Sequence, residues 1–281
     1  MPSQGVEQPL DFLSHPSTAG VARVLWLGDP RALPAGGWSV EPGLSYALTP
    51  EGLPDAAQVL TPAGPGPAVL VGNAVRQAIS GGTVHLGRLL ASAGVQYVVE
   101  VDGLAPSTVG TQPASVNAPP PPDLAQQLLA QSDLQVVPGE VGVEVYRNSE
   151  FVPVTAQRAA PLPATTTWSY PGEADVAGWQ PALSSLSAGT ATGQVRPGTL
   201  YAGYAPAGGF TLSQSGRTPP LRPAYGWAAQ YATAGGPTSL ALSRFPYVPL
   251  GVALEVALWV VLLVALAGPR RRPARDPVHP Q

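Results

Sequence analysis

Two continuous apolar runs, Arg23–Gly28 (RVLWLG) and Val95–Val101 (VQYVVEV), predict strands buried on both faces, the pattern of a sheet covered by helices. Between them, residues 68–80 and 83–93 carry apolar side chains at helical spacing, with Val75, Ile79, Leu86, Leu89 and Leu90 on the faces that would meet the sheet. Gly81-Gly82 separates the two helices, and Gly94 is a C-cap ahead of the second strand. A third helix is predicted over 123–131 with Asp123 as its N-cap, followed by a hairpin of Leu134–Val137 with 141–147 across Pro138-Gly139. From Phe151 onward helical spacing disappears. Short β-like runs at 165–169, 199–204, 210–215, 225–231 and 239–243, separated by Gly or Pro, predict an antiparallel sandwich. Last, residues 248–267 form an apolar stretch in which Glu255 is the single charge. As a helix it would reach about 30 Å, the thickness of a bilayer core, and it predicts a membrane span in preference to a buried core helix.

The expected architecture is therefore mixed α+β: a tether over 1–20, an α/β domain over 21–150, a β-sandwich-like domain over 151–247, a transmembrane helix over 248–267 and a basic cytoplasmic tail over 268–281. Composition reinforces this. With 35 Pro, 32 Gly and only 11% charged residues in 281, the chain favours short strands, turns and loops over long helices. The connections expected are an aromatic-pinned loop from Pro30 to Pro67, a proline-rich excursion over 105–122, and a Ser/Ala/Gly link over 182–192.

Charge supplies a direction. Arg270, Arg271, Arg272 and Arg275 follow the apolar stretch, and the positive-inside rule assigns them to the cytoplasm and residues 1–247 to the outside. The first twenty residues have neither a basic nor an apolar segment able to export the domain, so we expect the C-terminal part of a longer polytopic protein rather than a tail-anchored chain of reverse orientation. Cysteine is absent, which excludes disulfides, thiol catalysis and Cys-ligated metal. No basic face precedes the span, so no nucleic-acid partner is expected.

Candidate chemistry is sparse. Asp29 ends the first strand, but neither G-x-G-x-x-G nor G-x-x-x-x-G-K-[ST] occurs, so no phosphate cradle accompanies it and a turn role is the simpler reading. Glu100 and Asp102 stand at the end of a buried strand with the E-x-D spacing a sugar-transfer site could use, as do Glu173 and Asp175 in a turn. An exposed strand end gives the same pattern. His15, His85 and His279 are too dispersed for a metal site or a catalytic triad, and no metal or cofactor is expected. Trp168, Trp179, Tyr204, Tyr225 and Trp227 are candidate sugar-stacking residues, although large aromatics also fill small β cores. Glu255, inside the apolar stretch, would need a partner helix or a route to the interface.

The stretches RVLWLGDPRALPAGGW, YALTPEGLPDA, GVQYVVEVD, VEVYRN and PLRPAYGWAAQYATAGGPTSLALSRFP resemble the extracytoplasmic C-terminal region of actinobacterial membrane glycosyltransferase-like proteins and, more distantly, YfhO-type membrane proteins. In such proteins a family-2 glycosyltransferase domain or a polytopic sugar-transferase core precedes this region and contains the catalytic carboxylates. The resemblance thus implies a non-catalytic module accessory to cell-envelope polysaccharide assembly, with the membrane and upstream spans as partners and envelope glycan or polyprenyl-linked sugar as ligand. Gly226 and Trp227 match its AYGWA stretch without an assigned role. The alternatives are a sugar-transfer site built on Glu100, Asp102 or Asp29, and a purely structural envelope protein.

Overall fold

A computed structural model describes residue 13 and residues 20–33, 37–50, 67–101, 121, 123–138, 143–184, 190–204, 209–242 and 254–259. The expected tether, except Leu13 and Gly20, the excursion over 105–120, Asp102, the basic tail and most of the expected span lie outside these residues. The fold is mixed α+β, with two mostly antiparallel sheets and few helices.

The first sheet contains β1 (Arg23–Gly28), β2 (Trp38–Glu41), β3 (Leu44–Pro50), β4 (Val95–Val101), β5 (Leu134–Val137) and β6 (Val143–Asn148), in the order β2-β3-β1-β4-β6-β5. The two apolar runs lie side by side at its centre, and β1–β4 is its parallel pair. Every other pairing in it is antiparallel. Residues 38–50, expected as loop, form the β2–β3 hairpin. The alternation in WSVE and LSYALTP is a strand signal, and Gly43, at φ +82°, turns the chain between the two halves.

Helices α1 (Ala68–Ile79), α2 (Leu86–Ala91) and α3 (Leu124–Leu129) cover one face. There Val71, Val75, Leu86, Leu90, Leu124 and Leu128 close on Leu25, Leu27, Tyr46, Val98 and Tyr146. The opposite face buries Val24, Trp26, Ala47, Val99, Val101 and Val145 under Leu13, Ala32 and Leu33. Covering on both sides explains why β1 and β4 lack polar alternation.

Residues 151–242 depart from the expected sandwich by forming one sheet, not two. It contains β7 (Thr155–Arg158), β8 (Gln180–Pro181), β9 (Thr190–Ala202), β10 (Phe210–Gln214), β11 (Leu221–Ala224) and β12 (Ala228–Leu242), ordered β10-β12-β9-β7-β8 with β11 also on β12. A short α4 (Glu173–Val176) precedes β8. The run expected at 210–215 stands as its own strand, β10, whereas those at 199–204, 225–231 and 239–243 fall largely within two long partners, β9 with 13 residues and β12 with 15. Gly198 (φ +144°) in β9 and Gly235 and Gly236 (φ +90° and +111°) in β12 fall inside the paired region, so these glycines bend a continuous ribbon instead of ending strands. Residues 165–169, expected as a strand, are irregular chain.

The sheets change over between β6 and β7, close to the expected boundary, but they share their packing. Leu70 of α1 and Ala91 of α2 belong to the same buried cluster as Val152, Tyr201, Tyr225 and Trp227. Tyr201 donates its hydroxyl to the Ser92 carbonyl at 2.5 Å, and Tyr170 to the Leu70 carbonyl at 3.0 Å. Arg23, at the start of β1, donates to the carbonyls of Ala93 (2.5 Å) and Gly203 (2.6 Å), tying the α2–β4 turn to the end of β9. The described residues as far as Leu242 accordingly form one compact unit, and the helical stretch at residues 254–259 belongs to a second. No helix among the described residues is long and apolar enough to cross a membrane.

Candidate functional site

Two carboxylates of the first sheet, Glu100 and Glu144, lie on neighbouring strands near the end of its parallel pair. Glu100 lies opposite Leu27 of β1 on one side and opposite Glu144 of β6 on the other, and it is buried. Tyr146, two residues beyond Glu144 and fully covered by the helices, donates its hydroxyl to Glu144 Oε2 at 2.7 Å. Burial first, then the hydrogen bond to Glu144 and the charges of Glu100 and Glu144, push the Tyr146 phenol well up, so it remains a neutral donor. The structure therefore groups Glu100 with Glu144 and Tyr146, two residues absent from the sequence-derived candidates. The single acids in VVEV and VEVY are visible in the sequence, but the register that sets them opposite each other is not.

Asp29 follows β1 directly and is engaged by its own turn. Its carboxylate accepts from Arg31 Nε at 2.9 Å, Arg31 Nη2 at 3.0 Å and the Arg31 backbone N–H at 2.8 Å. These side-chain bonds, and then the backbone bond, hold its pKa down to about 2. This is the expected turn role, executed as an Asx turn closed by an ion pair. His85 precedes α2, with Nδ1 2.9 Å from Ser132 Oγ. Among the described residues no group of three or more His, Cys, Asp or Glu could hold a metal ion.

A second polar group escaped the sequence reading. Buried Asp133 accepts from the backbone N–H of Gly87 at 2.9 Å and of Arg88 at 2.8 Å, while Gln131 Oε1 accepts from Leu86 N at 2.9 Å. Asn148 completes the group by donating to the carbonyls of Gly87 and Val95, both at 2.9 Å. These side chains cap the start of α2 from a distance, so their work is structural.

The aromatic candidates separate by exposure. Tyr225 and Trp227 are buried at 7% and 4% exposure and fill the core shared by the two sheets, so neither can present a ring to a sugar. Trp179 is half-buried, with Nε1 donating to the Asp175 carbonyl at 2.6 Å and the Arg158 guanidinium 5.2 Å from its ring centroid. Tyr204, also half-buried, stacks on Phe210 at 4.4 Å and has Arg23 5.5 Å from its ring centroid. Trp168 alone among the five is open to solvent, at 48% exposure. Glu173 and Asp175 lie in α4, where the Asp175 carboxylate accepts from Gly172 N at 3.0 Å and closes the helix start. Compared with known proteins, the chain matches no family model, no curated sequence and no solved structure.

Proposed function

We propose that this chain is a membrane-attached, extracytoplasmic module without catalytic machinery of its own, which holds glycan or lipid-linked sugar for a membrane glycosyltransferase-like protein. The observation that carries the reading is the helical stretch at residues 254–259, LEVALW. Leu254, Val256, Leu258 and Trp259 are exposed at 73%, 56%, 69% and 58%, so its apolar side chains lack protein cover. Such a helix is stabilised by an apolar surrounding, and lipid supplies one. Trp168 supports the sugar-holding part, because an exposed indole, on irregular chain tied to the β11–β12 turn by the Ser169 N–H bond to the Tyr225 carbonyl at 3.3 Å, offers a face for sugar C–H groups. Asp29, Asp133 and Arg23 are each occupied by backbone or turn partners, which accords with charged groups serving the fold.

The test is a titration of the full chain in lipid nanodiscs with envelope oligosaccharides. The expected result is saturable binding that weakens about tenfold in Trp168→Ala, the loss of one stacking platform. Binding indifferent to Trp168, or absent for every envelope glycan, contradicts the reading.

A second reading, a sugar-transfer site on the first sheet, is favoured by one arrangement: Glu100 and Glu144 face each other with the neutral Tyr146 hydroxyl on Glu144. It requires product formation by the full system to fall in Glu100→Gln. An unchanged product profile removes it.

A further inference from the structure

The sheet formed by residues 151–242 contains a polar feature, not lined by Trp168, in which donors converge without a carboxylate in the lining. A cavity of about 240 Å³ opens where β7 and β8 meet the bend of β9, lined by Gln157, Arg158, Gly178, Gln180, Arg196 and Pro197. Gly198 makes the geometry possible. At φ +144° it lets β9 approach β7 so closely that a Cβ there would stand 2.5 Å from the Arg158 carbonyl oxygen.

Both guanidiniums are held in place by neutral groups. Arg158 donates from Nε to the Ala160 carbonyl at 3.0 Å and from Nη1 to the Asp175 carbonyl at 3.3 Å, with its plane supported on the Trp179 ring. Arg196 donates its backbone N–H to Gln157 Oε1 at 2.8 Å and Nη1 to Gln180 Oε1 at 3.2 Å. Each glutamine thereby turns its amide oxygen to Arg196, and its amide nitrogen is a further donor. Asp175, whose backbone carbonyl accepts from Arg158, directs its carboxylate to Gly172 N, and among the described residues neither guanidinium has a carboxylate within ion-pair distance. Two pre-positioned positive forks beside two amides, in a chain of net charge −3, make a site for an oxygen-rich anion.

We propose that this cavity binds the anionic group of a sugar residue, a uronate carboxylate or a sugar phosphate, through Arg158 and Arg196. The proposal rests on the glycan-holding reading and narrows it to acidic glycans. The cavity is smaller than the roughly 300 Å³ at which sites for drug-sized ligands begin, so it takes one sugar residue and leaves the rest of the chain to surface contacts. Trp179 enters as the support that aims Arg158; its ring is not the sugar platform.

The experiment uses the full chain in lipid nanodiscs and three probes: a glucuronate-containing oligosaccharide, the same oligosaccharide with its carboxyls reduced to alcohols, and glucose 1-phosphate. The acidic oligosaccharide or the sugar phosphate should bind about tenfold or more tightly than the neutral compound, and more weakly as salt rises. Which of the two binds identifies the anion as carboxylate or phosphate. Arg196→Gln and Arg158→Gln should each erase that preference, and Arg158→Lys should recover only part of it, since lysine keeps the charge without the fork. Arg196 is exposed, so its variant is expected to fold, and an unaltered melting curve checks this. Equal binding of acidic and neutral probes overturns the anion site while the glycan-holding reading stands. Binding of none of the three overturns both.

Discussion

Asp29 and Asp133 show how two acids of similar appearance in the sequence acquire different work. Asp29 binds the guanidinium and N–H of Arg31, two residues away, a local turn legible from the Gly-Asp-Pro punctuation after β1. Its depressed carboxyl gives a pH prediction of definite sign. The folded pKa of about 2 lies below the unfolded value of about 3.9, so the stabilising pair is intact above pH 4 and is lost as pH falls toward 2. Carbon-detected NMR of the Asp29 carboxyl should show a midpoint near 2 that rises part of the way toward the unfolded value in Arg31→Gln, which removes the side-chain bonds and keeps the backbone N–H. Asp133 was illegible because its partners, Gly87 and Arg88, lie 46 and 45 residues earlier in the chain. Asp133→Ala leaves two N–H groups of α2 without acceptors and should cost about 1–3 kcal/mol in denaturant unfolding, whereas Asp123→Ala, whose side chain makes no cap bond, should cost far less.

Elements were legible where the pattern was unbroken and local. Strands β1 and β4 and the hairpin β5–β6 stand close to where their apolar runs place them, and α1 and α2 flank Gly81-Gly82 as expected. The β2–β3 hairpin was masked by the surrounding glycines and prolines, although Trp38, Val40, Leu44 and Tyr46 carry its alternation. In the second sheet the same residues misled in the opposite sense. Gly198, Gly235 and Gly236 bend long strands, and a sequence cannot separate a bend from a turn without the partner strand. One turn that does end a strand is Tyr225-Gly226, between β11 and β12, where both residues have positive φ, 53° and 75°. A Cβ on Gly226 would meet the Thr167 carbonyl carbon at 2.4 Å. Gly226→Ala should therefore destabilise the chain by more than the roughly 1–2 kcal/mol of left-handed strain alone, read as a lower midpoint in urea.

At the scale of the molecule, the two sheets are parts of one unit, because the second completes its inner face with residues of the first. Leu70 and Ala91 cover Tyr201, Tyr225 and Trp227, while Arg23 and Tyr201 bind carbonyls across the seam. A fragment limited to residues 151–247 should consequently fail to fold, and the region through Leu242 should unfold in a single transition reported equally by Trp26 and Trp227 fluorescence. Tyr201→Phe should lower its stability by about 0.5–1.5 kcal/mol, the worth of one buried hydrogen bond. The change from one sheet to the other was visible as a change of pattern near Phe151; the shared core was not, since it depends on contacts a hundred residues or more apart. The exposed Trp168 and the arginines of the β7–β9 cavity likewise required the fold, because exposure and convergence are not written in residue order.

The proposed function requires the sheets to stand outside a membrane that residues 254–259 would contact. The sequence contains no cysteine, so single-cysteine labelling in intact cells reads this directly. Thr218→Cys, at an exposed position beside β10, should react with a membrane-impermeant maleimide in intact cells, and Ala274→Cys should react only after permeabilisation. Labelling of Ala274→Cys but not Thr218→Cys in intact cells would place the sheets in the cytoplasm and contradict the account.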